Sequence, residues 1–270
     1  MSRDIPPIKL GSLLLTLLEP KAGYEKQFHR WYERDHFYAG CMIGENFFSG
    51  RRWVATRTLK ELRFPPETPI VDDVSKGSFL ASYWILDQRD DEAVQWSIAQ
   101  VHQLHSQQRM APPRDNISSG FYRYEFGAFR DRDGVPAELA LEHPYKGLGI
   151  TFIDFHERYT NDDIASGVAG RLASALETSL TDSCCGMSLC FAPQPLPDEV
   201  PAYVPRVAKN RLERRRLLLH FLEADPTQCW PSFMASLSAL LETYGVADIT
   251  YAAPFIPTIP GTDTYLDQLS

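Results

Sequence analysis

The chain has 270 residues, 44% of them hydrophobic and 23% charged, an ordinary globular composition long enough for one large domain or two modest ones around a buried core. Its 27 basic and 35 acidic residues give a net charge of −8, which argues against the clustered cationic surface that nucleic acid or an anionic membrane requires. No stretch approaches the ~18 apolar residues of a membrane span. Met1–Pro7 lacks the apolar core of a signal peptide, and five cysteines in a chain too large to need staples fit a reducing cytoplasm, so a cytoplasmic protein is expected. The densest basic run, Arg211–Arg216, precedes an apolar segment and reads as a solvated strand entrance.

In chain order, Lys9–Leu18 reads as a buried strand ended by Glu19-Pro20-Lys21-Ala22-Gly23. A helix follows from Tyr24 to about Phe37, with Tyr24, Phe28, Trp31 and Tyr32 on one face. Phe48–Thr58 has the Trp, Val and Thr content of a second strand, and a Pro-rich excursion at 64–69 leads to a third, Ser78–Leu86. Asp90 and Asp91 suit the start of a second helix, where negative charge meets the helix dipole, and its stripe is Val94, Ile98, Val101 and His105. Gly120–Phe129 is the fourth strand. The order strand-helix-strand-strand-helix-strand is the split βαβ pattern.

After a turn-rich linker, 130–146, the order recurs. Strands are expected at Leu148–Phe155, Cys184–Phe191, Leu217–Leu222 and Val246–Ala253, with helices at Asp162–Leu180 and Pro231–Tyr244, the latter ended by Gly245. A Pro-rich insertion, Pro193–Pro205, falls between the second and third strands, as in the first half. The shared insertion point predicts an internal duplication: an α+β chain of two tandem ferredoxin-like repeats, 8–130 and 147–256. Each sheet carries helices on one face, and the two bare faces cover each other. Cys184, Cys185 and Cys190 lie in an apolar segment without a second pair at zinc spacing and read as buried thiols, so no metal is expected.

The strand Leu13–Pro20, then Gly23 and Glu25, the helix run Phe28-x-x-Trp31-Tyr32-x-x-Asp35-His36, and Gly50-Arg51-Arg52-Trp53 carry a family likeness. This segment, Leu13–Leu59, resembles the dimeric α/β-barrel superfamily and, within it, the EthD-like proteins. The family usually pairs two chains so that their sheets enclose a barrel; here one chain supplies both halves and forms the arrangement intramolecularly, with a homodimer through helices or edge strands still open. The second half lacks the Trp-Tyr-x-x-acid-His run, which places the site in the first half. The resemblance implies cofactor-independent chemistry on a small molecule: monooxygenation, isomerisation, cyclisation or elimination.

On the first helix His29 and His36 are seven residues apart and nearly eclipsed, with Tyr32 between them. They lie at the edge of the apolar stripe, where a polar group can face a cleft. His36, near the helix C-terminus, is expected to favour its protonated form and to titrate near neutrality, as general acid–base work requires. The catalytic candidates are therefore His36, Tyr32 as hydrogen-bond donor with Tyr38 as the alternative donor, and Asp35, which with Asp73 is a candidate to orient His36. His29, Tyr38, Trp53 and Trp84 are the substrate-binding candidates, the tryptophans as aromatic walls of an apolar cavity. His102 and His105 read as stripe-edge histidines, and His220 as a satisfied core histidine.

The chain is thus expected to be a cofactor-independent lyase, isomerase, cyclase or monooxygenase acting on a hydrophobic or aromatic metabolite, with no nucleic-acid or membrane partner. Two other readings stand beside it: a non-catalytic, stress-related small-molecule binder, and a haem-dependent member of the superfamily. No Gly-x-Gly-x-x-Gly, phosphate loop, Gly-x-Ser-x-Gly or zincin motif occurs, which argues against nucleotide-driven and serine-hydrolase chemistry.

Overall fold

The structure, a computed structural model, describes residues 8–110, 112–200, 204, 206 and 209–269. Met1–Pro7, read above for a signal peptide, and much of the far end of the second insertion, Pro205 included, lie outside the described residues.

The strands are β1 (Leu10–Pro20), β2 (Phe47–Val54), β3 (Phe79–Leu86), β4 (Arg114–Phe129), β5 (Gly147–Phe155), β6 (Cys185–Pro193), β7 (Arg215–Leu222) and β8 (Ala247–Pro257). They close into one barrel in the order β1-β3-β2-β8-β5-β7-β6-β4. Each half contributes the antiparallel order 4-1-3-2 of a ferredoxin-like repeat. The halves join where β4 pairs β6 from Tyr122 to Phe129, and where β2 pairs β8 at Trp53 and Val54. The chain is two tandem ferredoxin-like repeats whose barrel closes without a second chain.

Period-two alternation decides which side chains fill the barrel. Leu13, Leu15 and Leu17 of β1 point inward, with Trp53, Trp84, Phe152, Phe191, Phe221 and Phe255 from the other strands, into one interior cluster. The alternate residues of β1, Leu14 and Leu18, join an outer cluster under the first-half helices. Both faces of β1 are covered, which is why its sequence reads as a nearly continuous apolar run.

The helices are α1 (Glu25–Trp31), α2 (Arg57–Lys60), α3 (Asp90–Ser106), α4 (Asn161–Asp163), α5 (Ala169–Ser179), α6 (Lys209–Leu212) and α7 (Pro226–Tyr244). Wide π-type turns, Tyr32–His36 and Tyr38–Met42, continue α1 beyond its expected end at Phe37, and a similar turn at Ile164–Val168 joins α4 to α5. The β2 expected to reach Thr58 stops at Val54, because α2 begins at Arg57. The last long helix begins at Pro226, not Pro231: Asp225 caps it by accepting from the Thr227 amide (2.9 Å), and Pro226 occupies the first turn, where no N–H is needed. The basic run is not solvated at its end. Arg215 is buried with both carboxylate oxygens of Asp154 at 2.8 Å, and Arg216 donates to Glu125 at 2.6 Å.

The two outer faces differ. In the second half Leu172, Leu176, Trp230, Phe233, Met234, Leu237 and Leu241 fill the space between helices and sheet. His220 is satisfied there by Ser188 (2.8 Å) and Thr151 (3.1 Å). In the first half the corresponding space is lined by smaller or polar groups, Gly40, Cys41, Ser97 and Thr16 among them, and stays open. No described helix is long and apolar enough to cross a membrane.

Candidate functional site

The open space, a cleft of about 1310 Å³, lies between the outer face of the first-half sheet and its helices and reaches past the start of β4 to Tyr122 and Phe152 of the barrel interior and to Arg215. Its floor is Leu14, Thr16 and Leu18 of β1, Tyr83 of β3 and Phe121 of β4. Tyr32, His36, Gly40 and Cys41 come from the first helical segment, and Ile98, Val101 and His105 from α3. The mouth carries Asp72, Asp73 and Lys76 from the β2–β3 connection, with Lys21 paired to Asp115 at 2.6 Å. An apolar interior with a charged rim suits a hydrophobic small molecule.

His36 is the centre of this wall. Its ring stacks on Trp31 with centroids 4.5 Å apart and planes 17° apart, and meets the edge of Tyr32 at 5.0 Å. Gly40 backs the ring, since a Cβ there would lie 3.0 Å from His36 Cε1. The indole of Trp31 is anchored by donation to the Arg109 carbonyl (2.9 Å) and carries the Arg114 guanidinium 4.7 Å from its ring centre.

The expected protonated His36 is not what this environment favours. Burial, then the positive charge of Arg114, lowers its pKa to about 3, and the opposing pull of Asp35 is weaker. Loss of hydration at the buried ring outweighs the partial charge of the helix end. Neither expected orienting carboxylate hydrogen-bonds the ring: Asp35 accepts from Arg109, Asp73 accepts from Ser75 (2.9 and 2.6 Å), and the buried Nδ1 of His36 has no hydrogen-bond partner.

Tyr32 is buried between two hydroxyls. Tyr83 donates to its oxygen at 3.1 Å and Thr16 Oγ1 lies 3.3 Å away. Burial raises the Tyr32 pKa, so the phenol stays protonated. Arg52, on the outward face of β2, sits 4.6 Å over the Tyr32 ring, and its Nη2 is buried without a partner.

His29 does not line the cleft. Its Nε2 donates to the Thr262 carbonyl (2.9 Å), and Nδ1 faces Arg52 at 3.5 Å, so the ring is a neutral tether for the C-terminal segment. Burial, followed by Arg52, lowers its pKa. Tyr38 is exposed on the outer surface. Trp53 and Trp84 are fully buried inside the barrel, bonded to Ser82 Oγ and the Ala137 carbonyl at 3.0 Å each, and form no wall of the cleft. Strand alternation sends these two inward and their neighbours Arg52 and Tyr83 outward. His36 and Tyr32 are therefore brought together at the cleft, while His29, Asp35, Tyr38, Trp53 and Trp84 are not part of its lining. Tyr83 and Phe121, two of the strand aromatics whose number implies an aromatic cavity, do line it, whereas Thr16 and Gly40 are lining residues the sequence reading missed; the signals were the alternate positions of β1 and a glycine four residues after His36.

Among the described residues no group of three or more His, Cys, Asp or Glu is arranged to hold a metal ion. Haem would need an oriented imidazole. The two histidines lining the cleft are His36 and His105. A ligating histidine donates its second ring N–H to an acceptor, but the buried Nδ1 of His36 has none and the ring lies flat on Trp31. His105 is exposed at the rim. These residues do not fit an axially ligated haem.

No protein-family model matches the sequence, and no curated protein sequence matches it. Solved structures do match the fold. An anthrone oxidase-like protein superposes with TM-score 0.55 at 7% identity, over 94% of this chain and 95% of its own. A provisionally assigned chlorite dismutase gives 0.55 at 9%, covering 94% and 96%, and a provisionally assigned monooxygenase from Fusobacterium nucleatum gives 0.51 at 9%, covering 93% and 94%. The shared property is the dimeric α/β-barrel fold in its two-repeat form.

Proposed function

We propose that this chain is an enzyme of the EthD-like type that acts on a hydrophobic or aromatic small molecule in the first-half cleft, by acid–base chemistry without a cofactor of its own. The observation that carries the reading is His36: a neutral imidazole with an unsatisfied ring nitrogen, on the wall of a large apolar cleft beside a second titratable group, Tyr32. With its pKa held at about 3 the neutral imidazole is a weak proton acceptor on its own, and it becomes an effective one only when the substrate's developing anion pairs with the imidazolium that forms. The positive charge of Arg52 and Arg114 that resists the imidazolium stabilises an anion formed next to it, so proton abstraction from an acidic C–H or O–H is coupled to an enolate or phenolate. Isomerisation, cyclisation, elimination and cofactor-free oxygenation all begin with that step. Convergence of His36 and Tyr32 on one cleft supports an enzyme over a passive carrier.

Native mass spectrometry of the purified protein tests the reading. A co-purified or added aromatic molecule should be retained at one equivalent and turned over, and no Soret band should accompany it. Retention without turnover of any retained compound would favour the carrier; a Soret band that persists on gel filtration would favour haem.

A further inference from the structure

The connections between the second and third strands of each half cross to the other half. From the first, Leu62 and Phe64 pack against the outer cluster of the second half, and Phe64 exchanges backbone hydrogen bonds with Ala252 (3.1 and 2.7 Å). From the second, Gln194 leaves β6 to donate through its amide to the Phe121 carbonyl (2.8 Å) and through its side chain to Asp90 (3.4 Å). Leu196 then packs against the first-half outer cluster. Arg206 gathers this segment by donating to the carbonyls of Leu196 (3.1 Å) and Pro197 (2.8 Å). Pro195 and Pro197 restrict its backbone further.

The crossing has different consequences on the two sides. On the second half it completes a filled core. On the first half it lands on an open cleft, and Leu196 and Val200 become part of the lining. We infer that Leu196 and Val200 are specificity-determining residues: the second repeat supplies the outer apolar wall of the first repeat's site and sets how long a hydrophobic ligand the cleft accepts. This rests on the proposed use of the cleft as a ligand site. Apolar side chains on a segment tied down at Gln194 and Arg206 form a fixed stop, and each ligand methylene seated before that stop gains about fourfold in affinity.

The test is isothermal titration of the full chain with a series of 4-alkylphenols, from ethyl through butyl, hexyl and octyl to decyl. Wild-type affinity should rise with chain length and then level off. Leu196→Trp should level off at a shorter chain and bind the longest probes about tenfold more weakly, with 4-ethylphenol changed less than about twofold. Leu196→Ala should move the plateau to longer chains. Val200→Phe repeats the first test at an independent position, and melting curves verify folding of each variant. Equal loss for short and long probes, or an unchanged plateau in the variants, would overturn the wall while leaving the cleft as a ligand site. No binding of 4-ethylphenol to the wild type would remove the ligand site itself, and the wall with it.

Discussion

The imidazole of His36 lies flat on the indole of Trp31, with 4.5 Å between centroids and 17° between planes. Stacking holds the ring at the cleft wall without a carboxylate, and it does so from the turn that departs from regular α-helical winding. A side chain fixed by packing, with an unsatisfied polar atom, is placed for a ligand more than for capping its own helix.

Replacing His36 separates those roles. His36→Ala should lower turnover roughly a hundredfold or more. His36→Gln, which keeps hydrogen bonding but cannot shuttle a proton near neutral pH, should do nearly as much damage. Rate and melting temperature are measured together: a structural role would instead lower the melting temperature for Ala, spare Gln and leave turnover unchanged in both.

Gly40→Ala probes the same ring from behind. The added methyl would sit 3.0 Å from His36 Cε1, and the ring has Trp31 on its other side. Alanine favours helix over glycine by about 1 kcal/mol, but crowding of a ring held between Gly40 and Trp31 offsets that gain, so stability should change little or fall. Ligand affinity or turnover should fall, with a shifted His36 Hε1 resonance. A more stable protein with unaltered resonance and rate would show that the ring position does not matter.

Acid should weaken the fold through histidines. His36 and His220 have pKa values lowered to about 3, and His29 is also lowered, by burial in each case. Below about pH 6.5 the unfolded chain binds a proton at each ring while the folded chain does not, so stability rises with pH across that window and is lost as pH falls from about 6.5 toward 3. Urea midpoints at pH 7, 6, 5 and 4 should fall in that order. A flat series down to pH 4 would contradict neutral buried rings.

Trp84 should behave as barrel core. Trp84→Ala removes a side chain packed against Phe191 and Phe221 and should cost about 3–5 kcal/mol by chemical denaturation. At temperatures where the variant remains folded, affinity for a cleft ligand should stay within about twofold of wild type, since Trp84 lines no part of the cleft. A selective loss of ligand binding with little loss of stability would return it to the site.

The C-terminal segment braces the helix that carries the site. Asp263 receives both Nε (2.8 Å) and Nη2 (2.6 Å) of Arg30, and Lys26 adds a pair at 2.9 Å. Because these groups are accessible to water, Asp263→Ala should lower the melting temperature only slightly, and the difference should vanish in about 1 M salt. Amide exchange in α1 is the sensitive readout and should quicken at low salt. Unchanged exchange would mean that the His29–Thr262 tether suffices.

Element order, a local property of the chain, was enough to give two ferredoxin-like repeats. The nearly continuous apolar run of β1 and the recurrence of insertions between second and third strands needed no structure to be seen. Local pattern does not say which of two faces is inside, and so Trp53 and Trp84 were read as cleft walls when register turns them into the barrel. Nor does it give distant partners: Asp35 is taken by Arg109, 74 residues away, and His36 is held neutral by burial and by Arg114, 78 residues away. The outer wall at Leu196 comes from the other repeat altogether. Burial, charge and wall are set by which strands pair and which segments cross between repeats, and only the closed barrel decides those.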